Sequence, residues 1–180
     1  MGRYLVDGTV WSSPRIIPPG QGSSAPLLQW DQSTSVVTID KLDNGSWSYS
    51  PEEVRLALCT FSDSTKLRLG VSVNSGGDYL RLAGLLADAI ARVPPQVRAG
   101  GDILVVVAPV APEHAGAYYT PGLGCLVVSP RILDSSAQGG FLEELLFHEL
   151  THATQDQKIS SSPGWKAACA ADGSNVQVSF

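Results

Sequence analysis

The chain has 180 residues, 43% of them hydrophobic and 16% charged, with a formal net charge of −5 and a pI near 5.0. That length suits one well-buried core and is short for two, and the composition is that of a soluble globular protein, which excludes global disorder. An acidic chain with no Lys/Arg run lacks the clustered positive footprint that phosphates require, so nucleic acid is excluded as the expected partner.

No apolar run reaches the ~20 residues needed to cross a bilayer, because "ILVVVAPVA" breaks at prolines after a strand's length. The opening residues "MGRYLVDGTVWSSPRIIPPG" lack a signal peptide's order of basic start, apolar centre and small-residue cleavage site. The expectation is a soluble monomer with no membrane contact, either cytoplasmic or delivered by a specialised secretion route. Cys59, Cys125 and Cys169 are widely spaced with no CxxC pair, which points to buried free thiols and leaves one bridge open.

Taken in order, residues 12 to 35 carry four prolines among serines and glycines, a composition that disfavours regular structure. Residues 1–35 are therefore expected to be a flexible or loosely attached segment, and 36–180 the folded domain. "SVVTIDKLDNGSWSYS" joins a β-branched run through Asn44-Gly45 to alternating Trp47 and Tyr49, the pattern of a β-hairpin. "SPEEVRLALCTF" then predicts a helix, with Ser50 as N-cap, Pro51 at the first helical position and Glu53 three residues after the cap.

"GGDYLRLAGLLADAIARVPP" spaces Leu80, Leu82, Ala83, Leu86, Ala87 and Ile90 helically and stops at Pro94-Pro95, predicting a core helix at about 77–92. "DILVVVAP" and "GCLVVS" are β-rich runs, read as strands flanking a loop that holds His114, Tyr118 and Tyr119. A polar linker, "PRILDSSAQGG", leads to an apolar helix at about 141–157, in which Leu142, Leu145, Leu146 and Leu150 require burial. Beyond a Pro163-Gly164 turn, "WKAACAA" is a candidate short helix, with Trp165 expected in core packing.

Within the apolar helix, His148-Glu149-Leu150-Thr151-His152 matches HExxH. Residues four apart share a helix face, so both imidazoles can address one ion, while Glu149 is rotated by about 100° and reaches its side. Zinc accepts neutral imidazoles in a tetrahedral shell and keeps a position for water. It acidifies that water, and Glu149 is placed to take the proton and pass it to a leaving amine. With three histidines and six glutamates in the chain, a chance HExxH is expected in roughly one or two per thousand such sequences, so chance is a weak competitor.

"LLFHELTHATQ" resembles the active-site helix of the zincin metallopeptidases, with apolar residues before HExxH and small Ala153 after it. The compact size and the strand pairs before the helix are most similar to short zincin domains of bacterial effector and toxin proteases. The likeness covers about 30 residues, from "GCLVVSP" through "HATQD". It implies an α+β fold, a single zincin-like domain whose small mixed sheet packs on the active-site helix. It also implies an edge strand above the metal that holds an extended protein or peptide substrate by β-augmentation, with "ILVVVAP" and "GCLVVS" as the strands. The activity implied is zinc-dependent hydrolysis of peptide bonds, with one Zn2+ per chain on His148 and His152 and with Glu149 as general base.

The third ligand departs from known patterns. Gln155 and Lys158 stand where HExxHxxGxxH needs Gly and His, which excludes a metzincin. Asp172, about twenty residues after His152, takes the place of a gluzincin's second-helix glutamate, although the aspartate-zincin signature GTxDxxYG is absent. Asp156 and His114 compete with it. From a straight helix Asp156 lies two turns from His148, about 12 Å along the axis, which suits a supporting role better than ligation. Tyr118 and Tyr119 are candidates for donating to the oxyanion of a tetrahedral intermediate, against the plainer reading of aromatics packing a β-rich loop. The alternatives to a protease are a catalytically silent zincin-like module that binds a protein partner, and a regulatory peptidase acting inside its own cell.

Overall fold

The structure is a computed structural model that describes residues 26–43, 46–98, 102–109, 116–134, 141–155 and 163. In chain order its elements are β1 (Leu27–Asp43), β2 (Ser46–Thr60), β3 (Lys66–Ser72), α1 (Tyr79–Ala91) and α2 (Pro95–Arg98). They continue with β4 (Leu104–Val107), β5 (Ala117–Thr120), β6 (Cys125–Val128), α3 (Pro130–Asp134) and α4 (Phe141–Thr154). The strands form one mixed sheet in the order β1-β2-β3-β4-β6-β5, parallel at β3/β4 and β4/β6 and antiparallel elsewhere. The fold class is α+β, as expected.

The expected strand pair is present: β1 and β2 pair antiparallel with Asp43 opposite Ser46, and the Asn44-Gly45 turn expected between them lies outside the described residues. The helix expected from Ser50 is instead the body of β2. Along that strand Glu52, Val54 and Leu56 are buried while Glu53 and Arg55 are exposed, a period of two that no helix can satisfy. Ser-Pro-Glu-Glu is a good local cap, but pairing with β1 on one side and β3 on the other overrides it. Pro51 sits where, among the described residues, β1 is the only strand beside β2, so its missing N–H is tolerated. Paired backbone also starts earlier than expected, because Leu28 and Trp30 lie opposite Cys59 and Ala57.

β1 is not straight. Trp30 pairs with Ala57 and Thr34 with Arg55, so four steps along β1 match two along β2, and a bulge of this kind bends the strand. Beyond the bulge the hairpin lies over one face of the sheet, where Ile39 packs with Val54, Leu56, Val106, Tyr118 and Val127. The Tyr118 hydroxyl donates to the Asp40 carbonyl, and Trp47 meets the Tyr118 ring edge-on at 5.0 Å, so the two ends of the strand order touch. Glu52, buried beneath the hairpin, accepts from Lys41, Ser72 and Asn74, a full set of partners for a carboxylate removed from water.

The helices cover the other face. Asp78 caps α1 by accepting from Leu80 N, and Leu82, Ala83, Leu86, Ala87 and Ile90 are buried as their spacing predicts, while Leu80 is exposed. They pack with Leu69, Val71, Val105, Val107, Leu126 and Val128 from the sheet and with Leu142, Leu145, Leu146, Leu150 and Ala153 from α4. Glu143 in the first turn of α4 ion-pairs with Arg92 at the end of α1, which joins the two helices. No helix among the described residues is long and apolar enough to cross a membrane. Cys59 and Cys125 are buried free thiols, their pKa values pushed up to about 12 by burial.

Arg98 is a buried cation that composition alone does not reveal. It donates to the Ala91 and Val93 carbonyls at the end of α1, pairs with Asp63, and lies over the Phe61 ring. Arg98→Ala is expected to destabilise the fold by about 2–4 kcal/mol, since two carbonyls lose their donor and a ring loses its cover. Urea unfolding monitored by circular dichroism measures this; a loss under ~0.5 kcal/mol would mean that water replaces the guanidinium freely.

Candidate metal centre

Helix α4 carries the centre because its two faces differ. Leu142, Leu145, Leu146, Leu150 and Ala153 anchor it to the sheet, which leaves His148 exposed and His152 half-buried one turn on. The imidazoles stand edge to face with centroids 4.5 Å apart, and their Nε2 atoms are 3.0 Å apart. Crowding by the surrounding protein holds both pKa values below the ordinary His range, and at His148 the neighbouring His152 adds to the effect. The shift favours the neutral imidazole, the form that binds a metal, and in the metal-free chain one Nε2 donates to the other.

Glu149 lies on the buried side of the pair. Burial pushes its pKa up to about 7, against a hydrogen bond that pulls the other way: the Tyr119 backbone N–H donates to Glu149 Oε2 at 3.0 Å. That bond ties α4 to β5, which is an edge of the sheet. Two expectations change here. Tyr118 and Tyr119 belong to a strand and not to a loop, and the strand at the edge beside the histidines is β5, while "ILVVVAP" and "GCLVVS" form the interior strands β4 and β6.

The two tyrosines point opposite ways, as neighbours on a strand must. Tyr119 packs on the helix side among the α4 contacts; Tyr118 is buried on the other side, bonded to Asp40. The Tyr118 phenol therefore serves the closure of the hairpin and is turned away from Glu149. Tyr118→Phe should cost about 1 kcal/mol of stability and leave metal content unchanged. Thermal unfolding and elemental analysis of that variant check both; lost metal would reinstate Tyr118 at the centre.

His148, Glu149 and His152 are brought together by the helix. His114, Asp156 and Asp172, the three candidates for a further ligand, lie outside the described residues, as do Trp165 and Cys169. Among the described residues no third Cys, Asp, Glu or His completes a metal-ligating group with the pair.

No family model, curated protein or solved structure matches this chain. A tetrahedral zinc ion bonded to two imidazoles at about 2.0–2.1 Å holds their nitrogens about 3.3–3.4 Å apart. The Nε2 atoms, at 3.0 Å, are a few tenths of an ångström closer, at hydrogen-bond distance, so the rings would part slightly to admit an ion. Two converging, neutral nitrogens suit a borderline-soft cation, and they form half of a tetrahedral set.

The sequence readily exposes the histidines and the glutamate. It does not expose the Tyr119 N–H, because a backbone donor carries no residue signature. The signal that could have found β5 is the short run "AYYT" opposite "CLVV", which pairs in register from Ala117↔Val128 to Thr120↔Cys125.

Proposed function

We propose that this protein is a zinc-dependent peptidase that hydrolyses peptide bonds in a protein or peptide substrate. The observation that carries the reading is the pair of Nε2 atoms 3.0 Å apart with the Glu149 carboxyl on the adjoining helix position, against an edge strand. His148 and His152 would hold the ion, with a third ligand from Asp172, His114 or Asp156. Zinc in that position supplies an acidified water and polarises the substrate carbonyl. Glu149 takes a proton at a carboxylate oxygen and delivers it to the leaving amine. An extended substrate lying along β5 would pair with edge groups of the strand other than the Tyr119 N–H, which Glu149 holds. Assignment to the effector or toxin proteases rests on the resemblance of "LLFHELTHATQ" alone.

The test is one preparation assayed for bound zinc and for cleavage of unfolded casein, with Glu149→Gln beside wild type. Zinc near one per chain, with cleavage that the variant loses, supports the peptidase. Asp172→Ala, His114→Ala and Asp156→Ala assign the third ligand by which one loses metal; Asp172 is expected.

One observation favours a second reading. Glu149 already has a structural partner in Tyr119 N–H, so it would be retained in a silent zincin-like module that binds a protein through its sheet edge. In that case zinc binds and no substrate is cut.

A further inference from the structure

Antiparallel strands alternate pairs that exchange both backbone hydrogen bonds with pairs whose N–H and C=O point away from the partner strand. Ser129 N–H donates to the Gly116 carbonyl at 2.8 Å, which makes Gly116 and Ser129 a bonded pair. Counting along the register, Tyr118↔Val127 and Thr120↔Cys125 are bonded pairs as well, and Tyr119↔Leu126 is not. The Tyr119 N–H therefore points off the edge of the sheet, and there it meets Glu149 Oε2. Glu149 is 7% exposed and reaches this donor from the adjoining helix. A main-chain donor held by two flanking bonded pairs cannot rotate away as a hydroxyl would.

We infer that the backbone N–H of Tyr119 is a positioning group for Glu149, fixing Oε2 against β5 so that Oε1 alone faces the space beside His148 and His152. The inference rests on the metal-centre reading above and adds to it a division of labour between the two carboxylate oxygens. The helix turns Glu149 to the side of the ion, yet its side chain is long enough to swing in, and carboxylate oxygen is itself a zinc ligand. As a ligand it fills the position that water needs. Tethering Oε2 to the strand keeps the carboxylate near the ion and off it, and couples the placement of the base to the strand along which an extended chain would lie.

Two measurements test this. In the metal-free chain, amide hydrogen exchange at Tyr119 is expected to be at least tenfold faster in Glu149→Ala than in wild type, and unchanged in Glu149→Gln, whose carbonyl still accepts. The Tyr118 and Thr120 amides, bonded to β6, stay slow in all three. Equal Tyr119 exchange in wild type and Glu149→Ala overturns the inference. The second measurement exchanges the Tyr119 amide for an ester, which removes the N–H and keeps the side chain, and adds Co2+ as the spectroscopic probe. The freed carboxylate should join the ion, raise its coordination number and weaken the visible absorption at least about twofold, and Glu149→Gln in the same background should restore it. An ester variant with the wild-type spectrum overturns the inference. Failure of wild type to take up Co2+ removes the metal-centre reading itself, and the exchange measurement, which needs no metal, still decides whether Tyr119 holds Glu149.

Discussion

His148→Ala is expected to lower bound zinc from about one per chain to background after dialysis, with the melting of the metal-free protein unchanged. Removing one of two converging Nε2 atoms leaves a lone imidazole on the helix. Losing a supporting hydrogen bond around a metal site costs 10–100-fold in affinity, so losing a ligand should cost at least about a hundredfold. The fold should not respond, because His148 is exposed and exposed substitutions stay within about 0.5 kcal/mol. His152→Ala should lose the metal equally and carry a small stability cost as well, since that ring is half-buried. Elemental analysis and calorimetry on both variants separate the two effects. Zinc retained in both would mean that the ion sits elsewhere in the chain.

Glu149→Gln should abolish hydrolysis, by about 10²–10⁴-fold, while zinc content holds. The same substitution has a second, opposite effect on stability. Burial raises the Glu149 pKa from 4.5 to about 7, so the folded metal-free chain favours the protonated carboxyl more than the unfolded chain does. Below about pH 4.5 both states are protonated and the position costs nothing. Between 4.5 and 7 the unfolded state releases its proton first, so stability falls as pH rises, and above 7 the full cost is present. A shift of that size corresponds to something on the order of 3 kcal/mol. Metal-free Glu149→Gln should therefore be more stable than wild type by about that amount at pH 8, with the difference closing toward pH 4.5. His148 and His152 titrate too, with lowered pKa values that weaken the fold as pH drops, but they are common to both proteins and cancel in the comparison. Urea midpoints at several pH values measure the difference. A gap that does not change with pH would show that Glu149 ionises in the fold as it does in water.

The two variants together divide the readings. A peptidase loses metal and cleavage in His148→Ala, and loses cleavage alone in Glu149→Gln. A silent module loses metal in the first and nothing measurable by hydrolysis in the second.

Much of the architecture can be read from short spacings. The β1/β2 pairing that begins at Asp43 and Ser46, the α1 periodicity from Leu82 to Ile90 and the HExxH spacing each involve residues close together in the chain. Backbone geometry alone sets those relations, which is why the pairing of His148 with His152 follows from the sequence as soon as α4 is a helix. Ser50 to Glu53 misleads for the opposite reason. Its capping pattern is locally sound, and it yields because Val54 and Leu56 gain burial against Ile39 and Val106, residues distant in the chain.

The sequence by itself thus determined an acidic chain with two histidines on one helix face and a neighbouring carboxylate, since these follow from composition and covalent spacing, while the α+β class came with the resemblance of the α4 segment. Only the tertiary structure decided that residues 51–60 continue the hairpin strand, that Tyr118 faces away from Glu149, that Arg98 is buried at the end of α1, and that Tyr119 N–H meets Glu149. The physical reason is common to all four. A side chain's face, its burial and the partner of an edge N–H depend on which strand lies alongside, and that choice is made by packing between segments tens of residues apart.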